Sequence, residues 1–181
     1  MKFTPTEIPE VIIIEPKLYI DDRGHFMETY QYKTFCANGI RHHFVQDNFS
    51  HSKKGVLRGL HYQVNSVQGK LVQVTSGTIF DVSVDIRKDS PTFGKWVGVT
   101  ISNQNKKIVW IPTGFCHGFY TLSDQADVLY KVTNYYSHKD ERCIIWNDPT
   151  LNINWPIIDG IPISLSLKDA LGISFLKAEK L

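Results

Sequence analysis

The segment Gln46–Gln63 reads Gln-Asp-Asn-Phe-Ser-His-Ser-Lys-Lys-Gly-Val-Leu-Arg-Gly-Leu-His-Tyr-Gln. It sets amides, an Asp, an Arg and a His among hydrophobic residues that are spaced as in a strand. A purely structural strand would give those positions to apolar or solvated side chains. Arg58 has the fork geometry to hold an anion, Gln46, Asn48 and Gln63 can orient a carbohydrate, and His61 can move a proton near neutral pH. Together these types suit a small-molecule enzyme acting on a phosphorylated sugar.

Position within a strand constrains this reading. Strict alternation puts Arg58 and His61 on opposite faces, so a shared pocket requires a twist or a bulge, and Gly59 is the place for it. Lys70 follows in Lys70-Leu71-Val72. A second histidine, His117, stands after Pro112 and Gly114 and just before Gly118. The sparse backbone around it would let a ligand approach, although capping of a turn explains it equally well. Tyr130 shares a face with Val128 and Val132, the pattern of a core tyrosine whose hydroxyl needs one partner. Asp169, behind Lys168, falls in the first turn of a short helix, where a carboxylate favours the helix dipole. Spacing alone connects neither to His61.

No His-x-His occurs, and the residue two beyond His61 is Gln63. Zinc or iron needs three or four convergent ligands, so no metal is expected. Cys36, Cys116 and Cys143 are odd in number and lack metal-type spacing. They read as reduced thiols of a cytoplasmic protein, with Cys116 a packed small residue rather than a nucleophile.

Elements to position these groups are mostly strands: Val11–Ile14, Phe44–Gln46, Val56–Gln63, Leu71–Thr75, Ile79–Ile86, Trp96–Ile101, Ile108–Ile111, His117–Thr121, Val128–Thr133 and Cys143–Trp146. Turn residues punctuate them at Asp21–Gly24, Ser76-Gly77, Ser90-Pro91, Asn103–Asn105 and Pro112–Gly114. Short strands so spaced predict an antiparallel sandwich or barrel. Helices are expected only at Tyr32–Asn38, stopped by Gly39, and from about Ser166. Within Thr78–Arg87, Phe80, Val82, Val84 and Ile86 take one face and Asp81, Ser83, Asp85 and Arg87 the other. That polar face reads first as solvent-facing or as an ion-pair ladder, and second as the lining of a barrel mouth; both can hold at different positions.

The 181 residues are enough for a single domain with its own core, and residues 1–181 show no linker or repeat. A net charge of +2 with no long basic run argues against nucleic acid, so anion binding has to be local. The apolar run Val11–Ile14 is bounded by Glu10 and Glu15, which fits neither a secretory leader nor a membrane span.

The motifs taken in order resemble the dTDP-4-dehydrorhamnose 3,5-epimerases, sugar-nucleotide enzymes of the cupin superfamily. They are Asp22-Arg23-Gly24-x-Phe26-x-Glu28, Gln46-Asp47-Asn48-x-Ser50, Arg58-Gly59-Leu60-His61-Tyr62-Gln63 and Lys70-Leu71-Val72. Then come Asp85-x-Arg87, Ser90-Pro91-Thr92-Phe93-Gly94, Ile111-Pro112-x-Gly114-Phe115-x-His117-Gly118-Phe119, Tyr130-Lys131 and Trp146-Asn147-Asp148-Pro149. The resemblance implies an all-β, cupin-type jelly roll (an antiparallel double-stranded β-helix) with a few short helices. It also implies a homodimer that exchanges or shares N-terminal strands. The implied reaction inverts C3 and C5 of dTDP-4-dehydro-6-deoxy-D-glucose without a cofactor. By the same likeness His61 is the base, Asp169 orients it, Tyr130 is the acid on the opposite side of the ring and Lys70 stabilises the enolate oxygen. Substrate contacts are implied at Arg23, Phe26, Glu28, Gln46, Asp47, Asn48, Arg58, Gln63, His117, Glu141 and Lys168, the last two on looser flanking matches. Two rivals stay open at this point, an epimerase of C3 or C5 alone and a silent cupin that only binds a sugar nucleotide; a third, a metal-dependent cupin oxygenase, is disfavoured by the missing His-x-His.

Overall fold

The computed structural model describes residues 1–181. Strands and helices in chain order are β1 Lys2–Pro5, β2 Ile12–Glu15, β3 Leu18–Asp21, β4 Gly24–Met27, α1 Tyr32–Ala37, β5 Gln46–Lys53, β6 Leu57–Gln63 and β7 Lys70–Ser76. The order continues with β8 Thr78–Asp85, β9 Trp96–Ser102, β10 Ile108–Ile111, β11 Phe115–Thr121, β12 Gln125–Val132, β13 Glu141–Cys143 and α2 Leu167–Ala170. A six-stranded sheet, β1-β2-β10-β7-β12-β5, faces a five-stranded sheet, β13-β6-β11-β8-β9, and β3-β4 forms a separate hairpin. All pairings between these strands are antiparallel, as the strand pattern predicts, and the two facing sheets form the cupin-type jelly roll that the resemblance implies. No helix is long and apolar enough to cross a membrane.

Alternation along each strand sorts side chains between the inside of the roll and its covered outer faces. Val72, Val74, Val109, Ile111 and Val128 of one sheet meet Ile79, Val97, Val99, Ile101, Phe115 and Phe119 of the other. Outside the six-stranded sheet, Leu71, Ile108 and Trp110 pack on Phe35 of α1 and on Ile40. Outside the five-stranded sheet, Leu57, Leu60, Tyr62, Val82, Val84 and Ile86 are covered by Trp155, Phe175 and Ala178 of the C-terminal segment. The apolar face of β8 is therefore sealed by the chain's own C-terminus. Its polar face turns inward: Asp81, Ser83 and Asp85 are buried. Asp85 binds Arg87, Ser90 and Thr92, closing the turn after β8 as an ion-pair cluster, while Asp81 reaches the interior. The solvent-facing reading of these three positions is thus corrected, and the ion-pair and barrel-mouth readings each hold at one of them.

Three strands escape the sequence reading. β1 is short, and β3 and β4 are almost wholly exposed, so none of them shows a buried alternation. A fourth, β5, extends from Gln46 to Lys53 rather than ending at Gln46. Its Asp, Asn, Ser, His and Lys residues favour strands poorly, and pairing with β12 along its whole length holds them there.

Candidate active site

The expected irregularity is present in β6. His117 of β11 pairs with His61, but Phe119 pairs with Arg58, so β6 carries one extra residue across the step. Gly59 supplies it at φ +122°, and any Cβ there would lie 2.5 Å from Gly118 Cα and 2.8 Å from the His117 carbonyl oxygen. Only glycine meets both demands. The bulge turns Arg58 and His61 to the same inward face while Leu57, Leu60 and Tyr62 remain in the outer core.

That face opens into a cavity of about 330 Å³ between the sheets. From the five-stranded side come Arg58, His61, Gln63, His117 and Glu141; from the six-stranded side come Gln46, Asn48, Lys70 and Tyr130; Lys168 joins from α2. His61 and Tyr130 thus face one cavity from opposite sheets. Ser50, Gln68, Phe119 and Tyr136 also line it, and the sequence reading did not place them in the site. Ser50 lies two residues beyond Asn48, so extending the alternation of β5 would have found it. Gln68 and Tyr136 lie on loops, which carry no periodic signal.

Each polar group has a defined setting. His61 Nε2 is hydrogen-bonded to Asp169 Oδ1, and Ser166 Oγ donates to Asp169 Oδ2 at 2.7 Å. Burial alone would raise the Asp169 carboxyl, but the bonds from His61 and Ser166 outweigh it and hold it below the usual range. With Nε2–H donating to Asp169, the lone pair of a neutral His61 sits on Nδ1. Burial pushes the Lys70 ammonium down to about 8, against the pull of Cys116 and Asp81. No ion pair of the chain includes it. Burial also raises the Tyr130 phenol, with Arg58 and Lys168 opposing, so it is a neutral donor at working pH.

His117 is not a turn cap: it lies within β11, with Nε2 2.7 Å from Asp81 Oδ2. Arg58 is steadied by Ser52 Oγ at 3.0 Å and the His51 carbonyl at 3.1 Å. Glu141 accepts from Lys168 at 2.7 Å and from the Tyr136 hydroxyl at 3.1 Å, tying three segments at the rim. Cys116 is buried in the outer core, and burial raises its thiol, which suits a packing role.

Some expected contacts stand elsewhere. Asp47 stands apart from the cavity: it neighbours Gln46 and Asn48 in sequence, so alternation sends it to the outer face, where it binds Lys131 at 2.9 Å. Gln63 lines the cavity, but its amide is engaged with the backbone of Ser66, Tyr135 and Ser137. Those bonds tie the loop after β12 to β6. Arg23, Phe26 and Glu28 lie on or beside the β3-β4 hairpin, where Arg23 pairs with Asp21 and Phe26 and Glu28 border a separate groove with Tyr19. Within one chain they do not reach the main cavity.

Known proteins resemble this chain closely in sequence and fold. The family model described as dTDP-4-dehydrorhamnose 3,5-epimerase matches residues 5–177. The chain is 52% identical over 182 residues to the enzyme of that name from Pseudomonas aeruginosa, covering 99% of this chain and 98% of the relative. It is 54% identical over 181 residues to the one from Shigella flexneri, covering 99% and 98%. Its fold superposes with a TM-score of 0.95 on the crystal structure of dTDP-6-deoxy-D-glucose-3,5-epimerase from Legionella pneumophila in complex with dTDP-4-keto-L-rhamnose. That chain is 52% identical, and the match covers 98% of this chain and 94% of the other.

Proposed function

The chain belongs to the dTDP-4-dehydrorhamnose 3,5-epimerase family, and on that premise we propose that it inverts C3 and C5 of dTDP-4-dehydro-6-deoxy-D-glucose to give dTDP-4-keto-L-rhamnose. The observation that carries this reading is the pairing of His61 and Tyr130 across one cavity with Lys70 beside them. Both carbons lie α to the C4 ketone. His61 Nδ1 takes a proton from one face, and the C–H electrons move onto the C4 oxygen as an enolate. The Lys70 ammonium stabilises that oxyanion. Tyr130 gives a proton to the same carbon from the other face, the ketone re-forms, and the centre is inverted. No electrons leave the substrate, so residues alone suffice. Arg58 is suited to a diphosphate oxygen, with His117, Asn48, Gln46 and Lys168 placed for the rest of the nucleotide sugar. The three free cysteines accord with a reducing, cytoplasmic setting.

The test is reaction of the substrate in deuterated water with NMR of the product. Deuterium at both C3 and C5 supports the double inversion; label at one carbon or at neither rejects it. In Tyr130→Phe, exchange at C3 should persist while inversion at C5 falls by about 10²-fold, the scale of one lost general acid. Loss of C3 exchange equal to the loss of C5 inversion would contradict the division into His61 as base and Tyr130 as acid, because exchange needs only the base.

The working form is a homodimer. The β3-β4 hairpin exposes Tyr19 (54%), Ile20 (76%) and Phe26 (69%), an apolar surface that a second copy would cover. Arg23, Phe26 and Glu28 then serve the cavity of that second copy. Ile20→Glu should convert the dimer to monomer by light scattering and raise KM about tenfold or more, the effect of losing an interface anchor. A variant that stays dimeric would place the interface elsewhere.

A further inference from the structure

Beyond the groups assigned to the reaction, β13 brings a third ligating atom to the His61–Asp169 pair. Cys143 stands in register with His61 across the β6–β13 ladder, and its Sγ lies 3.8 Å from Asp169 Oδ1. One donor atom each from His61, Cys143 and Asp169 falls within 4.8 Å of the other two. Imidazole nitrogen, thiolate sulfur and carboxylate oxygen form a donor set that favours zinc over magnesium or calcium. The three come from distant parts of the sequence, which is why no metal spacing shows in the chain.

We propose that this trio is an inhibitory zinc site that switches off the catalytic base. It has no part in turnover. Zinc bonds of about 2.0–2.3 Å put nitrogen and oxygen ligands about 3.3 Å apart. The His61–Asp169 hydrogen bond therefore has to open for the metal to enter, and Asp169 sits on a helix of only four residues while Cys143 lies on the edge strand β13. The Cys143 thiol gives up its proton to solvent as the S–Zn bond forms. Zinc on His61 Nε2 leaves the ring's one proton on Nδ1, the atom that must be free to accept the substrate proton. A fourth position remains for water. The cavity itself is not filled, so substrate still binds but is not deprotonated.

Metal binding here rests on the side chains alone; only its kinetic consequence rests on the proposed epimerase activity. The experiment uses the full-length, reduced, metal-free protein. Calorimetry should show a zinc site at one per chain, and Co²⁺ should give a thiolate-to-cobalt charge-transfer band. Cys143→Ser and Cys143→Ala should lose the band and bind zinc at least about tenfold more weakly, the scale of losing a group from a metal site. In the unmodified enzyme, zinc should lower kcat while KM changes less than about twofold, and a chelator should restore the rate. A missing thiolate band, or Cys143 variants that bind zinc as tightly as the parent, would overturn the site. Zinc bound at Cys143 with turnover undiminished would overturn the inhibition. A chain with no epimerase activity would refute the proposed function, while the cobalt spectrum would still decide the site.

Discussion

His61→Ala is expected to lower kcat by about 10³–10⁴-fold, toward the top of the range for a general base, because it removes the imidazole that faces Tyr130 across the cavity. His117, the other histidine in the cavity, has its Nε2 bound to Asp81 and lies on the same wall rather than in the place of His61. Binding of dTDP should change little, since the nucleotide end is assigned to Arg58 and its neighbours. Fold is a separate matter. Without His61 the buried Asp169 keeps only Ser166 and the distant Cys143 thiol, a loss of about 1–3 kcal/mol for a group stripped of its partner. His61→Asn, which can still donate to Asp169, should recover most of that stability and none of the rate. Steady-state kinetics with thermal melting separates the two effects. A His61→Ala enzyme with near-normal turnover would end the assignment of the base.

Lys70→Met is expected to move activity and stability in opposite directions. Turnover should fall by about 10²–10³-fold, the scale of one lost oxyanion donor. Stability should rise, because the ammonium is buried and burial pushes it from its ordinary 10.5 down to about 8. The sign follows from proton counting. Below about 8 the ammonium is charged in both the folded and the unfolded chain, and its desolvation cost is paid in full. Between about 8 and 10.5 the folded chain releases its proton first, the unfolded chain binds more protons, and stability climbs with pH. Above that window the cost is gone. A depression of this size corresponds to a few kcal/mol at neutral pH, on the order of 3 kcal/mol as an upper figure. In Lys70→Met the climb should vanish from denaturant titrations across this window. In the parent enzyme kcat/KM should fall as pH rises through about 8, as the oxyanion's partner loses its charge. A parent rate independent of pH from 7 to 10, or a less stable Lys70→Met, would remove Lys70 from this role.

The order of strands, the turns between them and the two helices were largely legible, since alternation and turn chemistry are local. Where local signals were weak, as in the polar β5 and the exposed β3-β4 hairpin, strands were shortened or missed. Motif residues on inward-facing alternate positions line the cavity, whereas Asp47, contiguous with them in sequence, faces outward to Lys131. Gln63 illustrates a different limit. Its residue type suits a sugar, but only the three-dimensional course of the 134–140 loop shows that its amide is already bound to backbone.

By itself, the sequence determined which side chains could share a face, and even that the Arg58–His61 segment needed an irregularity at Gly59, because pleat and handedness act between near neighbours. The tertiary structure alone decided which of two faces is the interior. β8 turns its carboxylates inward only because a C-terminal segment, far away in the chain, seals its apolar side. It alone also joined His61 to Asp169, 108 residues on, and set Tyr130 across from them. Contacts of that range depend on how whole sheets stack, and no window of local residues encodes them.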